Sequence, residues 1–258
     1  MDIKTAFLLF AVSLFPNVDI THIANELPTL RLLTVIKMYT SSILTTLALA
    51  TAALATGSAK TPNDFSPGFI LVVHVTNPDA DFTPTVNNAA VNSIHAGPGF
   101  RVATISTTLT DGHVFYENGT LDQVEDGETT VIFDAATPLT PFGILVQDPT
   151  APVDNIAINA GPGSYNTVDG DPEVNAALVN GLGEGTYLVC NATVPYYHQN
   201  FLTLQYVYEG GEKPEGCVEV ELVPQCAELN ELPAGSHSSH DHAVNVRCYK
   251  DATVVDWS

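Results

Sequence analysis

Short runs of β-branched and aromatic residues, each closed by Gly, Pro, Asn or Asp, are the feature that most restricts the fold of this chain. The first run, at 69–76, reads FILVVHVT and ends at Asn77-Pro78. Further runs lie at 100–106, 113–117, 129–134, 142–147, 155–159, 187–191, 201–208, 217–223 and 243–249. Runs of this length, punctuated so regularly, are typical of antiparallel sandwiches and barrels. The sequence therefore predicts an all-β chain.

The arrangement within and between these runs refines the prediction. The run at 201–208 alternates most clearly, with leucines and tyrosines at even positions and Thr203 and Gln205 between them. One helix is expected at 171–179, with Asp171 as its N-cap and Pro172 at its first position. The segments 94–99 and 158–163 both end in Ala-Gly-Pro-Gly, which we interpret as two similar turns. We predict one antiparallel β-sandwich or barrel-like domain with one short helix, pinned by disulfides.

The N-terminal part of the chain has the pattern of export signals. Residues 38–59 hold an apolar run at 43–55 followed by small residues, as in a cleaved signal peptide, and the run is too short to span a bilayer. Residues 1–37 carry a second apolar run, and we interpret them as an extension of the gene model or an additional signal-like segment. Residues 60–232 are then the β-sandwich domain. Residues 233–258 form a His-containing loop and a C-terminal strand.

The charge of the chain restricts its partners. Eight Lys and Arg stand against 29 Asp and Glu, for a formal net charge of -21. Residues 1–59 hold three residues of each sign, so the whole excess of acid lies in residues 60–258. Such a surface repels the phosphates of nucleic acids and of anionic membranes. We expect no nucleic-acid partner and no membrane contact after processing; cell-wall polysaccharide and host protein are the candidate partners, and the oligomeric state stays open.

Cysteines and glycosylation sequons agree with export. An even number of cysteines in a chain with a secretory signal predicts two disulfides. The four are Cys190, Cys217, Cys226 and Cys248. Their spacing suggests that neighbours pair, although four cysteines allow three connectivities. Asn118 and Asn191 begin Asn-X-Thr sequons and are candidate glycosylation sites. We therefore expect a secreted, extracellular protein.

The segment 187–223 combines Cys190, the pair Tyr196-Tyr197, a Gly-x-x-Pro turn at 211–214 and Cys217 before a valine-rich strand. This arrangement resembles a family of small secreted β-rich proteins from filamentous fungi that is catalogued as a domain of unknown function. The segment 115–118, FYEN, is similar to an earlier aromatic patch in that family. The resemblance implies no catalytic residue, because the family has no assigned activity. Members end near the last strand, whereas this chain continues through 224–258 with two more cysteines.

Metal binding has one candidate site in the sequence. His237, His240 and His242 could supply three nitrogens to zinc or copper, yet the Pro, Gly and Ser residues around them equally suit a solvated loop. Acidic clusters at 79–81, 125–128 and 169–173 offer oxygens to calcium but are better explained as solvated turns. We therefore expect no cofactor, with zinc, copper and calcium as the alternatives.

Enzymatic motifs are mostly missing from the sequence. Gly163-Ser164 lacks the second glycine of a nucleophile elbow, and neither a zinc-protease helix nor a phosphate-binding loop is present. His198 beside Tyr196 and Tyr197 could line a sugar-binding surface, or the strand could simply pack the core. We predict a non-enzymatic secreted fungal protein that acts by binding at the wall, the surface or a host interface. The alternatives are a secreted hydrolase or carbohydrate-binding module, and a metal-capturing protein.

Overall fold

The structure is a computed structural model that describes residue 62, residues 64–146, residue 151 and residues 153–257. The two signal-like segments, 1–37 and 38–59, lie outside the described residues. Within the described ranges no helix is long and apolar enough to cross a membrane. The strands are β1 Asp64–Ser66, β2 Gly68–Val75, β3 Ala90–Gly97, β4 Phe100–Ser106, β5 Val114–Asn118, β6 Thr130–Ala135, β7 Thr140–Leu145, β8 Val153–Asn155, β9 Ala157–Ala160, β10 Asn166–Val168, β11 Leu178–Asn180, β12 Gly185–Val194, β13 Gln199–Tyr208, β14 Cys217–Ala227 and β15 Val246–Cys248.

The pairings of the large sheet return to their starting point and close a barrel of nine antiparallel strands. The order around the barrel is β2, β5, β6, β7, β9, β4, β13, β12, β14 and back to β2. Strand β3 pairs with both β2 and β4, and β8 adds to β13. Two small sheets, β1 with β15 and β10 with β11, lie beside it. The predicted all-β, barrel-like domain is confirmed.

The core follows the apolar pattern of the strands. Strand β2 has strands on both sides and is buried on both faces, which explains why its sequence is a nearly continuous apolar run. The alternation predicted at 201–208 is confirmed, because Leu204 and Tyr206 point into the main core. Val207, at an intervening position, belongs to a smaller cluster with Leu188 and Cys190 on the other face of the sheet. Alternation thus decides which side chains fill the barrel.

The predicted helix is in the wrong place. Among the described residues the α-helix, α1, is Leu121–Asp126, capped by the Thr120 side chain and ended by Gly127 in the left-handed conformation (φ 70°). The segment 171–179 instead makes a turn and then enters β11, which pairs with β10. Its Asp171 and Val174 carbonyls accept hydrogen bonds from the Arg247 guanidinium. A helix would have used these carbonyls for amides four residues further on.

The two similar Gly-Pro-Gly segments flank one strand but have different roles. Strand β3 leads into the first segment and strand β9 leads into the second. Both strands pair with β4, one on each side, and Arg101 and Val102 of β4 have partners in both. The first segment closes the β3–β4 hairpin. The second crosses β7 so closely that a Cβ on Gly143 would overlap the Pro162 carbonyl group, and Gly163 takes a positive φ of 80°. Only glycine fits at such a crossing.

Both disulfides connect neighbouring cysteines. Cys190 is bonded to Cys217 across the β12–β14 pair, and Cys226 is bonded to Cys248, so that β15 is attached to β14. Each closes a loop of 22 to 27 residues and stabilises the fold by about 3 kcal/mol in the chain-entropy account. The C-terminal end packs back further, since the Trp257 ring stacks on His74 of β2 at 4.3 Å between centroids.

Candidate functional site

The tip of the β12–β13 hairpin presents tyrosines on the surface. The two strands pair continuously from Gly185 opposite Tyr208 to Val194 opposite Gln199. The chain reverses over residues 195–198, where the Tyr197 and His198 amides both donate to the Val194 carbonyl oxygen. His198 closes the turn in the left-handed conformation (φ 52°). Long paired strands therefore hold this tip, and we call residues 195–198 the aromatic tip.

Aromatic rings are in contact across the aromatic tip. Tyr196 is 57% exposed and Tyr197 is 38% exposed, and their ring centroids lie 5.0 Å apart. Tyr196 also meets the exposed His95 of β3 edge-on at 5.6 Å, and Tyr197 meets Phe201 at 5.5 Å. The simpler interpretation of the sequence expected these tyrosines to pack the core. They do not, because both rings lie at the surface. Exposed rings held by one another form a pre-organised apolar surface with hydroxyl groups at its edge.

A buried polar group lies beneath this surface. The half-buried Arg101 guanidinium lies near Tyr197, and its Nε donates to Ser93 Oγ at 2.6 Å. Ser93 Oγ also lies 2.7 Å from Nε2 of His113. Burial, and then the positive charge of Arg101, lower the pKa of His113 to about 4. His113 is thus neutral at pH 7, and its Nε2 is placed to accept the Ser93 hydroxyl proton.

A Ser–His pair also serves as the nucleophile and base of many hydrolases. Here Ser93 is buried, and the His113 ring stacks on Phe133 of the core at 3.9 Å between centroids. The pair therefore packs against the core, and we interpret it as structural. Sequence reasoning missed it because the contacts depend on the register of the β3–β4 hairpin and on the placement of His113 beside it. The one available signal was the scarcity of bases in residues 60–258, which makes every arginine notable.

The structure does not bring His237, His240 and His242 together around one point. In the described part of the chain no group of three or more His, Cys, Asp or Glu residues could hold a metal ion. His240 turns inward instead, with Nε2 2.8 Å from Oδ2 of the buried Asp134. His237 and His242 are exposed. The arrangement attaches the loop to the barrel and does not favour the metal-capture hypothesis.

The backbone of this His-containing segment is attached to the barrel as well. The His237 amide donates to the Leu139 carbonyl at 2.7 Å, and the Val244 amide donates to the Glu117 carbonyl at 2.8 Å. Between them, the Gly119 amide donates to the His242 carbonyl at 3.1 Å. The segment therefore crosses β5 at the surface and is held there by backbone hydrogen bonds. It is not the loosely held loop that its Ser and Gly residues suggest.

Other candidate residues have structural roles or lie at the surface. Ser164 is buried and its Oγ accepts from the Val146 amide at 3.1 Å, so it is not an exposed nucleophile. The sequon residue Asn191 is exposed near the end of β12, whereas Asn118 is half-buried in β5, between Thr130 and Ala243. Glycosylation at both positions stays a prediction.

Acidic side chains meet in one open cleft of about 590 Å³. Glu184, Glu219 and Glu221 line it together with Tyr187 and Tyr206. Glu219 forms an ion pair with Lys213 at 2.9 Å, and burial raises the pKa of Glu221. The Tyr187 hydroxyl is buried there and has no hydrogen-bond partner among the described residues. The cleft carries acidic side chains, in contrast to the aromatic tip.

Comparison with known proteins identifies the family of this chain. Residues 66–226 match the model described as Domain of unknown function (DUF7907), and these residues include the aromatic tip. The chain is similar to antigenic protein SchS34 of Stachybotrys chartarum, with 38% identity over 205 residues, which cover 75% of this chain and 90% of that protein. No solved structure matches the chain. The resemblance to a fungal family of unknown function is confirmed, and the chain belongs to the DUF7907 family.

Proposed function

We propose that this is a secreted, non-enzymatic protein that works by binding at the cell wall or at a host interface, with the aromatic tip as its contact surface. The observation that carries the proposal is the exposure of Tyr196 and Tyr197 on a turn held by two long strands. Exposed tyrosines are enriched where proteins bind ligands, because a large ring is ordered at little entropic cost. A fungal relative called an antigenic protein and two disulfides are compatible with an extracellular setting.

The partner class follows from the chemistry of the tip. Tyrosine faces pack against the apolar faces of sugar rings, while their hydroxyls reach the sugar hydroxyls at the edge. The chain carries a net charge of -21, which repels polyanions. A neutral wall polysaccharide satisfies both conditions. The proposed partner is therefore an uncharged polysaccharide such as chitin or β-1,3-glucan.

Retention on insoluble polysaccharide tests the proposal. The protein is incubated with chitin and with β-1,3-glucan, and the unbound fraction is measured over a range of polysaccharide concentrations. Each of Tyr196→Ala and Tyr197→Ala should weaken binding by about tenfold, the loss of about 1.4 kcal/mol expected for one stacked ring. Tyr165→Ala is the matched control, because Tyr165 is similarly exposed but lies outside the tip. Wild-type retention of a variant that carries both Tyr196→Ala and Tyr197→Ala, or no retention of the unaltered protein, would contradict the proposal.

A further inference from the structure

A second cleft, of about 550 Å³, lies on a different part of the barrel. Helix α1, β1, β10 and the segment 244–247 contribute to its walls. Residues 244–247 lie beyond the part of the chain that matches the family model. The C-terminal segment, attached by the Cys226–Cys248 disulfide, therefore completes this cleft. We call it the Arg247 cleft.

A buried cation lines the Arg247 cleft. Arg247 is only 6% exposed, and its guanidinium donates to backbone carbonyls, at 3.4 Å to Val174 and 3.5 Å to Pro62, and also to Asp171. These partners are dipoles without net charge. No carboxylate of the described residues lies within ion-pair distance of Arg247. Burial of a charge is costly unless a counter-charge compensates it, so an anion is favoured at this position.

The rim of the Arg247 cleft is apolar. Phe65 is 64% exposed at one side, and Val124 of α1 is exposed at the other. Pro172 and Val244 continue the same surface. Large apolar side chains that are grouped around a concave surface often bind apolar ligands, whereas a single exposed apolar side chain usually has no such role. The rim and the cation together favour a ligand with two chemically different parts.

One acidic residue, Glu117, lies among the lining residues. It is buried, and its carboxylate accepts from the Val168 amide at 2.8 Å and from Thr167 Oγ1 at 3.0 Å. Its hydrogen bonds are thus made within the protein, on the β10 side of the cleft. Since Glu117 forms no ion pair with Arg247, the positive charge stays available to a ligand.

We propose that the Arg247 cleft binds a small organic anion, with its acidic group at Arg247 and its apolar body against Phe65 and Val124. The ligand class is an apolar or aromatic body that carries a single carboxylate or sulfonate. This site is separate from the aromatic tip and does not depend on polysaccharide binding.

Two fluorescent probes that differ only in charge test the proposal. Anilinonaphthalene sulfonate is an aromatic anion, and N-phenyl-1-naphthylamine is the same body without the sulfonate. Titration of the full chain at pH 7 should show one saturable site that binds the anion at least tenfold more tightly. Arg247→Gln should abolish this preference by weakening the anion about tenfold, with the neutral probe unchanged, whereas Arg247→Lys should keep most of it. Equal binding of the two probes, or an unchanged preference in Arg247→Gln, would overturn the proposal.

A second pair of variants keeps the test decisive if Arg247→Gln does not fold. Val124 is an exposed helix position on the rim, so its substitution leaves the core intact. Val124→Glu should weaken the anionic probe at least threefold and Val124→Lys should strengthen it. The matched substitutions Leu121→Glu and Leu121→Lys, on the same helix but outside the lining, should change binding less than twofold. Equal effects at positions 121 and 124 would place the probe elsewhere and refute the site.

Discussion

At the residue scale, the polar groups inside this protein are more informative than its apolar ones. His113 is enclosed by Phe133, Ser93 and Arg101, and Asp134 is buried between Tyr116 and His240. Each of these groups has been moved from water into a low-dielectric setting with specific partners. Burial lowers the pKa of His113, so the stability of the fold must depend on pH.

His113 makes the direction of this dependence predictable. Its pKa is about 4 in the folded protein and near its ordinary value of 6.5 in the unfolded chain. Between these values the unfolded chain binds a proton that the folded protein does not bind, so acidification destabilises the fold. Between pH 7 and pH 4 this residue should lower the free energy of unfolding by about 3 kcal/mol.

Urea denaturation at several pH values measures the effect. His113→Gln removes the titrating group, so the decrease of the unfolding free energy between pH 6.5 and pH 4 should become shallower. His198→Gln, at the exposed turn, is the control for loss of a histidine. If His113→Gln and His198→Gln change the pH dependence equally, burial of His113 is not its cause.

At the element scale, the strands were predictable and their connections were not. The runs at 69–76 and 201–208 became β2 and β13 because apolar periodicity and turn residues act locally. The prediction of a helix at 171–179 was wrong. The Arg247 guanidinium, 73 residues after Val174 in the chain, donates to the Val174 carbonyl, which a helix would have used for its own hydrogen bonds. The tyrosines of the aromatic tip were noticed in the sequence, but their exposure depends on how the barrel closes. The hydrogen-bond partners of Arg247 likewise lie 73 to 185 residues away in the chain, whereas Arg101 bonds Ser93 of the neighbouring hairpin strand.

The glycine crossing between β7 and the segment 161–163 gives a prediction at this scale. Gly143→Ala places a Cβ on the Pro162 carbonyl group, and Gly163→Ala adds strain at a positive φ. Each should lower the free energy of unfolding by about 3 kcal/mol, the cost of an overpacked site that cannot relax. Gly170→Ala, where a Cβ meets open space, should change it by less than about 0.5 kcal/mol. Chemical denaturation of the three variants compares them, and a neutral Gly143→Ala would show that the crossing is not close-packed.

At the scale of the whole molecule, the excess of acid dominates. Residues 60–258 carry five bases, two of which are the inward-facing Arg101 and Arg247. Among the described residues, Lys213 with Glu219 is the one ion pair that involves a lysine. Most carboxylates therefore repel one another across the surface, which favours solubility but opposes the compact state.

Screening of this repulsion by salt should stabilise the protein. Raising sodium chloride from 20 mM to 500 mM shortens the Debye length from over 20 Å to about 4 Å. The melting temperature should rise by about 3 °C, the shift that about 1 kcal/mol gives in a domain of this size. Scanning calorimetry at the two salt concentrations measures the shift. A lower melting temperature in high salt would mean that attractive ion pairs outweigh the repulsion.

The stacking of Trp257 on His74 has an optical consequence. The chain contains a single tryptophan, at its extreme C-terminal end, and that ring rests on the first long strand of the barrel. The tryptophan fluorescence of this protein therefore reports on the contact between Trp257 and β2. The chain carries its own label for the contact between Trp257 and β2, and no dye has to be attached to follow the loss of that contact in real time.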